Sequence, residues 1–230
     1  MAGVGEQKGR KKKRPKQKPQ TNGDSLLKNA INHHVQGDLK NAEKAYRAAI
    51  DSGLLRVALF LNLGIICQTT QRIEEAISLY KKAMQINPNH PNAYTVLGGL
   101  YQNLGNLEQG LACTLKSLEL KPDNPDALMN LGGIYQDLGN LDQALSSTLT
   151  SLELKPDNPT AHMNLGGIYK DLGNLDQALA STLKLLELKP DNHTAHMNLG
   201  GIYKDLGNLD QALASTLQSL ELKPDNPTAH

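Results

Sequence analysis

The sequence predicts an all-α solenoid, an elongated stack of paired helices, and three observations lead to that prediction. From residue 23 onward the 230-residue chain repeats itself every 34 residues without an insertion. Aromatic residues make up only 3% of the chain and Trp is absent, which disfavours the aromatic-rich strands of a β-sandwich or barrel. Each repeat also carries the start and stop signals of two helices. A fixed period of this size is typical of repeat proteins, in which stacked neighbours complete one continuous core.

Six repeats fit the chain between a basic N-terminal segment and a short remainder. The repeats span 23–56, 57–90, 91–124, 125–158, 159–192 and 193–226, and residues 227–230 begin an incomplete seventh repeat. A solenoid normally closes with a polar capping helix, whereas the last helix here would expose an apolar side. We therefore expect that the chain is a fragment of a longer protein, with end-to-end self-association as the alternative.

The fifth repeat shows how each repeat is read as two helices. Asn158 can cap the first helix, and Gly173 supplies a left-handed C-terminal cap. The second helix follows Asn174, and Gln177 three residues later completes a capping-box pattern. Pro190 ends the second helix because proline cannot donate to the helical ladder. These signals recur almost unchanged along the chain and predict the same helix pair in each repeat.

The pattern resembles the tetratricopeptide repeat (TPR), a family with a period of 34 residues. The second repeat matches its consensus with Phe60, Leu63, Gly64, Ala76, Tyr80, Ala83 and Pro88, and departs from it at Cys67 and Gln71. Later repeats keep the Leu-Gly pair and the closing proline, but carry Thr where the family has an aromatic residue, at Thr114, Thr148, Thr182 and Thr216. The resemblance covers about nine-tenths of the chain. It implies a right-handed superhelix of helix-turn-helix repeats.

The resemblance also implies a binding surface, because the first helix of each TPR lines a concave groove. The residues expected to face it are Asn62, Asn130, Asn164 and Asn198 at position 6, Met129, Met163 and Met197 at position 5, Lys170 and Lys204 at position 12, and Asp137, Asp171 and Asp205 at position 13. A carboxamide both donates and accepts, which suits a peptide backbone, and Met offers adaptable apolar contact. The Asn row is similar to the ladder in the TPR superhelix that precedes transferase domains such as O-linked N-acetylglucosamine transferase. The alternative is that these Asn residues are solvated copies produced by duplication.

Glycine follows at position 9 of the later repeats, and we expect it to leave room for a ligand beside the backbone. The leading functional hypothesis is thus a protein–protein interaction scaffold that binds a peptide or protein segment in this groove. The alternative is the substrate-recruiting part of a larger glycosyltransferase- or sulfotransferase-type enzyme whose catalytic domain lies elsewhere.

Catalytic and metal-binding patterns are not evident in the sequence. No nucleophile elbow, phosphate-binding loop or dinucleotide fingerprint occurs, so we expect no enzyme activity from this chain and no cofactor. His162 and His196 recur at position 4 of their repeats. Zinc requires about four converging ligands, and successive repeats lie too far apart to supply them, so we expect these histidines to pack rather than bind metal.

The first 22 residues form a basic tail that differs in composition from the rest. They hold eight of the 24 Lys and Arg residues and one of the 23 Asp and Glu residues, at Lys8, Arg10, Lys11, Lys12, Lys13, Arg14, Lys16, Lys18 and Glu6. With almost no apolar residues this segment is predicted to be disordered. Its charge could attach the chain to nucleic acid, a ribosome or an anionic surface. The alternative is a solubilising tail without a partner.

The location of the protein is expected to be cytoplasmic. No apolar run is long enough for a membrane span, and no apolar stretch follows the basic N-terminus as it would in a signal peptide. The two cysteines, Cys67 and Cys113, have neither metal-binding nor redox spacing, which fits a reducing compartment.

Overall fold

The computed structural model describes residues 21–223, which form twelve α-helices and no β-strand. They belong to two compact units, residues 1–59 and 60–230, called unit 1 and unit 2 below. The basic residues assigned to the tail, from Lys8 to Lys18, lie outside the described residues, as do residues 227–230.

Unit 1 contains helices α1 (Thr21–Val35) and α2 (Leu39–Asp51), which pack against each other. Between them Gly37 adopts a φ of +76°, a value that costs glycine little. The carboxylate of Asp38 then caps α2 by accepting a hydrogen bond from the backbone N–H of Asn41 at 3.2 Å. Hydrogen bonding from the Asn41 side chain, the largest cause, holds the pKa of Asp38 below its ordinary value. Tyr46 is fully buried in the core of this pair.

Unit 2 repeats one arrangement of helices along its length. The first helices of its repeats are α3 (Val57–Thr69), which begins in unit 1, α5 (Pro91–Asn103), α7 (Pro125–Asp137), α9 (Pro159–Asp171) and α11 (His193–Asp205). The second helices are α4 (Ile73–Ile86), α6 (Leu107–Leu120), α8 (Leu141–Leu154), α10 (Leu175–Leu188) and α12 (Leu209–Leu222). Helices α4, α6, α8 and α10 each pack against the first helix of the following repeat. This stacking is the α-solenoid that the period predicts.

The ends of the helices follow the sequence signals, with one difference. Gly139 and Gly173 end their first helices with a φ of +76°, and the next N–H bonds back into the helix, as from Asn174 to the Tyr169 carbonyl at 2.8 Å. Asn158 caps the following first helix by accepting from backbone N–H groups. The predicted capping box at Asn174 does not form, because its side chain makes no cap hydrogen bond.

The backbone angles differ between the two kinds of cap position. Asn158 has a ψ of 104°, whereas Asn174 follows directly on the left-handed glycine of a tight turn and has a ψ of 69°. A ψ near 70° does not by itself prevent capping, because Asp38 has a ψ of 71° after Gly37 and its carboxylate caps α2.

Close approach of the two helices within a repeat explains the first glycine of each Gly-Gly pair. A Cβ atom on Gly132 would collide with the Thr148 hydroxyl and lie 3.2 Å from the Ala144 carbonyl oxygen. In the second repeat the aromatic ring of Tyr80 occupies the equivalent place against Gly64. The small residue at this position lets the second helix pack directly on the backbone of the first.

Candidate functional site

The first helices of unit 2 line its inner side. Helix α5 contacts α7, and α7 contacts α9, in addition to the contacts that each makes with second helices. In residues 60–223 no pair of second helices makes contacts of this extent. Because the first helices are drawn together and the second helices are spread apart, the face built by α5, α7 and α9 is the concave one, here called the inner face.

The asparagines at position 6 bind the backbone of the neighbouring first helix. Asn130 donates its Nδ2 hydrogen to the Thr95 carbonyl oxygen at 2.9 Å, and its side chain is buried, with 8% of the residue exposed. Asn164 donates in the same way to the Met129 carbonyl oxygen at 3.3 Å. These carboxamides thus hold successive repeats together, and one donor of each is already used within the protein. Asn62 on α3 and Asn198 on α11 are half-buried.

The glycines at position 9 make room for side chains of adjacent repeats. We had expected them to leave room for a ligand instead. A Cβ atom on Gly99 would lie 3.0 Å from the Nδ2 atom of Asn130. A Cβ atom on Gly167 would lie 2.8 Å from the Nε2 atom of Gln136. Position 9 is thus the place where the side chain of a neighbouring repeat crosses the helix, which accounts for the second glycine of each pair.

A second series of contacts joins position 12 of one repeat to position 13 of the next. Gln102 Nε2 donates to Asp137 Oδ2 at 3.0 Å, and Gln136 Nε2 donates to Asp171 Oδ2 at 2.7 Å. These contacts between first helices, here called rungs, lie at the solvent-exposed edge of the inner face.

The third rung is an ion pair between Lys170 Nζ and Asp205 Oδ2 at 3.5 Å. Both side chains are exposed, so the pair is worth no more than about 1 kcal/mol. The structure therefore brings predicted site residues into pairs along the inner face. Lys204, which occupies position 12 on α11 as Lys170 does on α9, is exposed. The two residues of each pair are always 35 positions apart in the sequence. This constant spacing was the available signal, but it is not apparent when each repeat is considered separately.

The methionines at position 5, Met129, Met163 and Met197, are half-buried on their first helices. The sulfur of Met129 accepts a hydrogen bond from Asn158 Nδ2 at 3.8 Å. Met163 borders a cavity of about 570 Å³ beside the loop that leads into α11. These side chains contribute apolar surface between polar groups on the inner face.

The inner face is open at the junction of α3, α5 and α7. A cavity of about 340 Å³ there is lined by residues that include Ile65, Val96 and Leu100. A neighbouring cavity of about 540 Å³ shares Ile65, Leu100 and Asn103 with it. Val96 stands at position 6 of the third repeat and Ile65 at position 9 of the second, where later repeats carry Asn and Gly. The sequence signal for this opening was that these two residues differ from the Gly and Asn of the later repeats.

The recurring histidines have a structural role. The Nε2 atom of His162 lies 2.9 Å from the Pro156 carbonyl oxygen, and that of His196 lies 2.8 Å from the Pro190 carbonyl oxygen. Each histidine thereby ties the start of a first helix to the preceding loop. Among residues 21–223, no three His, Cys, Asp or Glu side chains converge as metal ligands would. No helix in that range is both long and apolar enough to cross a membrane.

Comparison with known protein families gives matches along most of the chain. Models described as "TPR repeat" match residues 69–105 and 166–207. Models described as "Tetratricopeptide repeat" match residues 91–124, 113–146, 134–181 and 193–226. Together the matches run without a gap from residue 69 to residue 226. No curated protein sequence matches the chain.

Solved structures with a similar fold include TPR proteins. The Cut9–Hcn1 hetero-tetramer of APC/C superimposes with a TM-score of 0.85 at 18% identity; the alignment covers 90% of this chain but only 41% of that one. A thermophilic TPR protein of Thermus thermophilus, TTC0263, gives a TM-score of 0.66 at 27% identity; the alignment covers 75% of this chain and 94% of that one. YrrB, described as a TPR protein with an unusual peptide-binding site, gives a TM-score of 0.55 at 23% identity; the alignment covers 81% of this chain and 96% of that one.

The period, the helix pairs, the stacking of unit 2 and these matches agree with one another. The chain belongs to the tetratricopeptide repeat family and is a protein-interaction scaffold.

Proposed function

We propose that the inner face of unit 2 holds an extended segment of a partner protein, and that the chain acts by binding and not by catalysis. The observation that carries this proposal is the row of rungs along α5, α7, α9 and α11, which makes one continuous polar surface beside open cavities. An extended peptide has unpaired backbone N–H and C=O groups at regular intervals. Such a surface offers carboxamide and carboxylate groups to many of them at once.

The position of the asparagines changes the role proposed for them. Asn130 and Asn164 position the helices, because one Nδ2 hydrogen of each is bonded to a carbonyl group of the neighbouring first helix. The exposed groups of the rungs and the half-buried Met side chains are then the ones that meet the partner. The charge also changes along the face: Asp137 and Asp171 pair with neutral Gln, whereas Asp205 pairs with Lys170. A bound segment therefore meets negative charge in the middle repeats and a neutral pair farther along.

One further observation supports this proposal. YrrB, which has a similar fold, is described as having a peptide-binding site. We also propose a cytoplasmic location, since the spacing of the two cysteines in the sequence fits a reducing compartment.

A pair of matched surface variants tests the proposal. Asn92 and Asn103 lie on the first helix α5, where both line the cavities of the inner face, whereas Gln143 and Gln177 are exposed on the second helices α8 and α10. A photo-crosslinking residue at Asn92 in the full chain would first identify a partner segment. The affinity of that segment is then measured by calorimetry for Asn92→Arg/Asn103→Arg and for Gln143→Arg/Gln177→Arg.

Because two long cations on the inner face would block the segment, we expect Asn92→Arg/Asn103→Arg to weaken binding by roughly tenfold or more. The variant with the same added charge on the second helices should bind within about twofold of the unchanged chain. Equal loss in both variants would contradict the proposal, since it would indicate a general charge effect. Far-UV circular dichroism would show that helicity is retained in both.

A further inference from the structure

The inner face changes its chemistry at one junction. In the later repeats an Asn at position 6 lies against a Gly at position 9 of the preceding repeat, as Asn130 does against Gly99. At the junction of the second and third repeats the same two positions hold Val96 and Ile65. An aliphatic pair thus stands where the next two junctions place a carboxamide over a glycine, Asn130 over Gly99 and Asn164 over Gly133. Ile65 is 38% exposed and, together with Val96 and Leu100, lines the cavity of about 340 Å³ on this face.

The rung is also different at this junction. The equivalents of Gln102 and Asp137 are Gln68 and Asn103. Gln68 accepts a hydrogen bond from the Tyr80 hydroxyl at 3.0 Å. Asn103 is exposed, and both residues line the cavity of about 340 Å³. The contacts that close the inner face in later repeats are therefore replaced here by an opening with an aliphatic wall.

The lining of this cavity selects among ligands by charge. Its aliphatic wall is formed by Ile65, Val96 and Leu100, and its polar rim includes the carboxamides of Asn92 and Asn103. No Lys or Arg lines it, so an acidic side chain would find no counter-charge. The one carboxylate in the lining is Asp126, which Lys155 approaches to 3.3 Å. An uncharged side chain is the occupant that such a lining accepts without an unpaired charge.

We propose that this cavity, here called the Ile65–Val96 pocket, is the specificity pocket of the inner face and binds one branched aliphatic side chain of an extended, uncharged peptide segment. The carboxamides of Asn92 and Asn103 on the polar rim are available to hydrogen-bond polar groups of the segment. A volume of about 340 Å³ lies at the small end of the range of ligand sites and suits one side chain with its flanking peptide groups. The assignment rests on the proposed function, because it names the residue type that the partner segment places in the groove.

Synthetic peptides test this assignment directly. The probes are uncharged, blocked peptides of about nine Gly, Ser and Asn residues, long enough to span roughly three repeats when extended. Their central residue is Leu, Ala, Asp or Lys. Each is titrated into the full chain labelled at the backbone amides and at the Ile, Leu and Val methyl groups. Dissociation constants are taken from shifts of the first-helix amide signals, which every variant keeps, and the Ile65, Val96 and Leu100 methyl signals report contact with the pocket.

We expect the Leu peptide to bind roughly tenfold more tightly than the Ala peptide, because it buries about three more carbon atoms. The Asp and Lys peptides should bind no more tightly than the Ala peptide. The variant Ile65→Gly/Val96→Asn, which restores the Gly and Asn of the later repeats, should bind the Leu and Ala peptides equally. Val96→Thr keeps the shape of the side chain and should reduce the preference for Leu even if the double variant folds poorly. Leu149→Asn, on the second helix α8, is the control and should keep the full preference.

The possible failures are distinguishable. If all four peptides shift the backbone signals of Asn92 and Asn103 with equal affinity, the pocket assignment is wrong although the groove still binds peptides. A preference for Leu that persists in Ile65→Gly/Val96→Asn would also overturn it. If no peptide shifts any signal of a first helix, both the pocket and the proposed function are wrong.

Discussion

Replacing Asn130 by Ala is expected to destabilise unit 2, whereas the same change at Asn198 is not. Both asparagines occupy position 6 of a first helix, and the sequence around them is nearly the same. Only Asn130 is buried, and only its side chain, of the two, bonds to a carbonyl group of the preceding repeat in the described residues. The comparison therefore separates a role in stacking from a role in contacting a partner.

The magnitude follows from the contacts that are lost. The bond from Asn130 Nδ2 to the Thr95 oxygen, at 2.9 Å, contributes about 0.5–1.5 kcal/mol. Truncating a side chain that is only 8% exposed adds up to about 1 kcal/mol for the space left behind. The better helix propensity of Ala returns roughly 0.5 kcal/mol. The net loss is about 1 kcal/mol, and no more than about 2 kcal/mol, for Asn130→Ala, and Asn198→Ala should remain within about 0.5 kcal/mol of the unchanged chain.

Urea unfolding followed by far-UV circular dichroism measures both changes, and a thermal scan should show a Tm lowered by roughly 2–4 °C per kcal/mol. Asn130→Asp keeps the size of the side chain but removes the donor, so it should destabilise unit 2 at least as much as Asn130→Ala. Equal losses at Asn130 and Asn198, or a neutral Asn130→Asp, would refute the assignment of this carboxamide to stacking.

Three further predictions concern the packing of unit 2. Gly132→Ala should lower the urea midpoint more than Gly166→Ala, because a Cβ atom on Gly132 would collide with Thr148, whereas one on Gly166 would lie 2.9 Å from the hydroxyl of Thr182. Thr148→Val should be neutral or stabilising in the same assay, since the Thr148 hydroxyl is buried without a partner in the described residues, whereas Thr182→Val loses a backbone hydrogen bond of 2.8 Å and should cost about 1 kcal/mol. Burial raises the pKa of Tyr80 above its ordinary value of 10.0, so above that pH the unfolded chain releases a proton that the folded chain keeps. Stability should then fall by about 1.4 kcal/mol per pH unit through this residue, and Tyr80→Phe should remove that part of the fall in alkaline urea titrations.

The fold was predictable because every local signal is repeated. The left-handed glycines, such as Gly173, and the closing prolines mark the helix ends in most repeats, and the structure places the ends at these residues. In the second repeat Gln71 takes the place of the left-handed glycine, with a φ of 61°. The capping box at Asn174 was the exception. Asn174 and Asp38 both follow a left-handed glycine with similar backbone angles, yet only the Asp38 side chain accepts a cap hydrogen bond, so the capping-box spacing alone does not predict the cap.

The site was less predictable, because its contacts join residues one repeat apart. Reading each repeat by itself put Asn130 and Gly133 on the inner face but gave no partner for either. The structure fills the space over Gly133 with side chains from repeats on both sides. Such contacts depend on the superhelical stagger between helices, which neither composition nor period specifies. The opening at Ile65 and Val96 was visible in the sequence only as a departure from the consensus of the array.

The constant offset of the rungs has a consequence for how the number of repeats can change. Deleting residues 159–192 in frame would place Gln136 opposite Asp205, and Asn198 opposite the carbonyl group of Met129, which are the same partnerships that the intact chain makes one repeat earlier. Loss or gain of one of these nearly identical repeats can therefore shorten or lengthen the array by whole copies without creating a mismatched junction. Ile65 and Val96 lie outside the nearly identical repeats 159–192 and 193–226. Variation in the number of those repeats would therefore change the length of the inner face and leave this aliphatic pair unchanged.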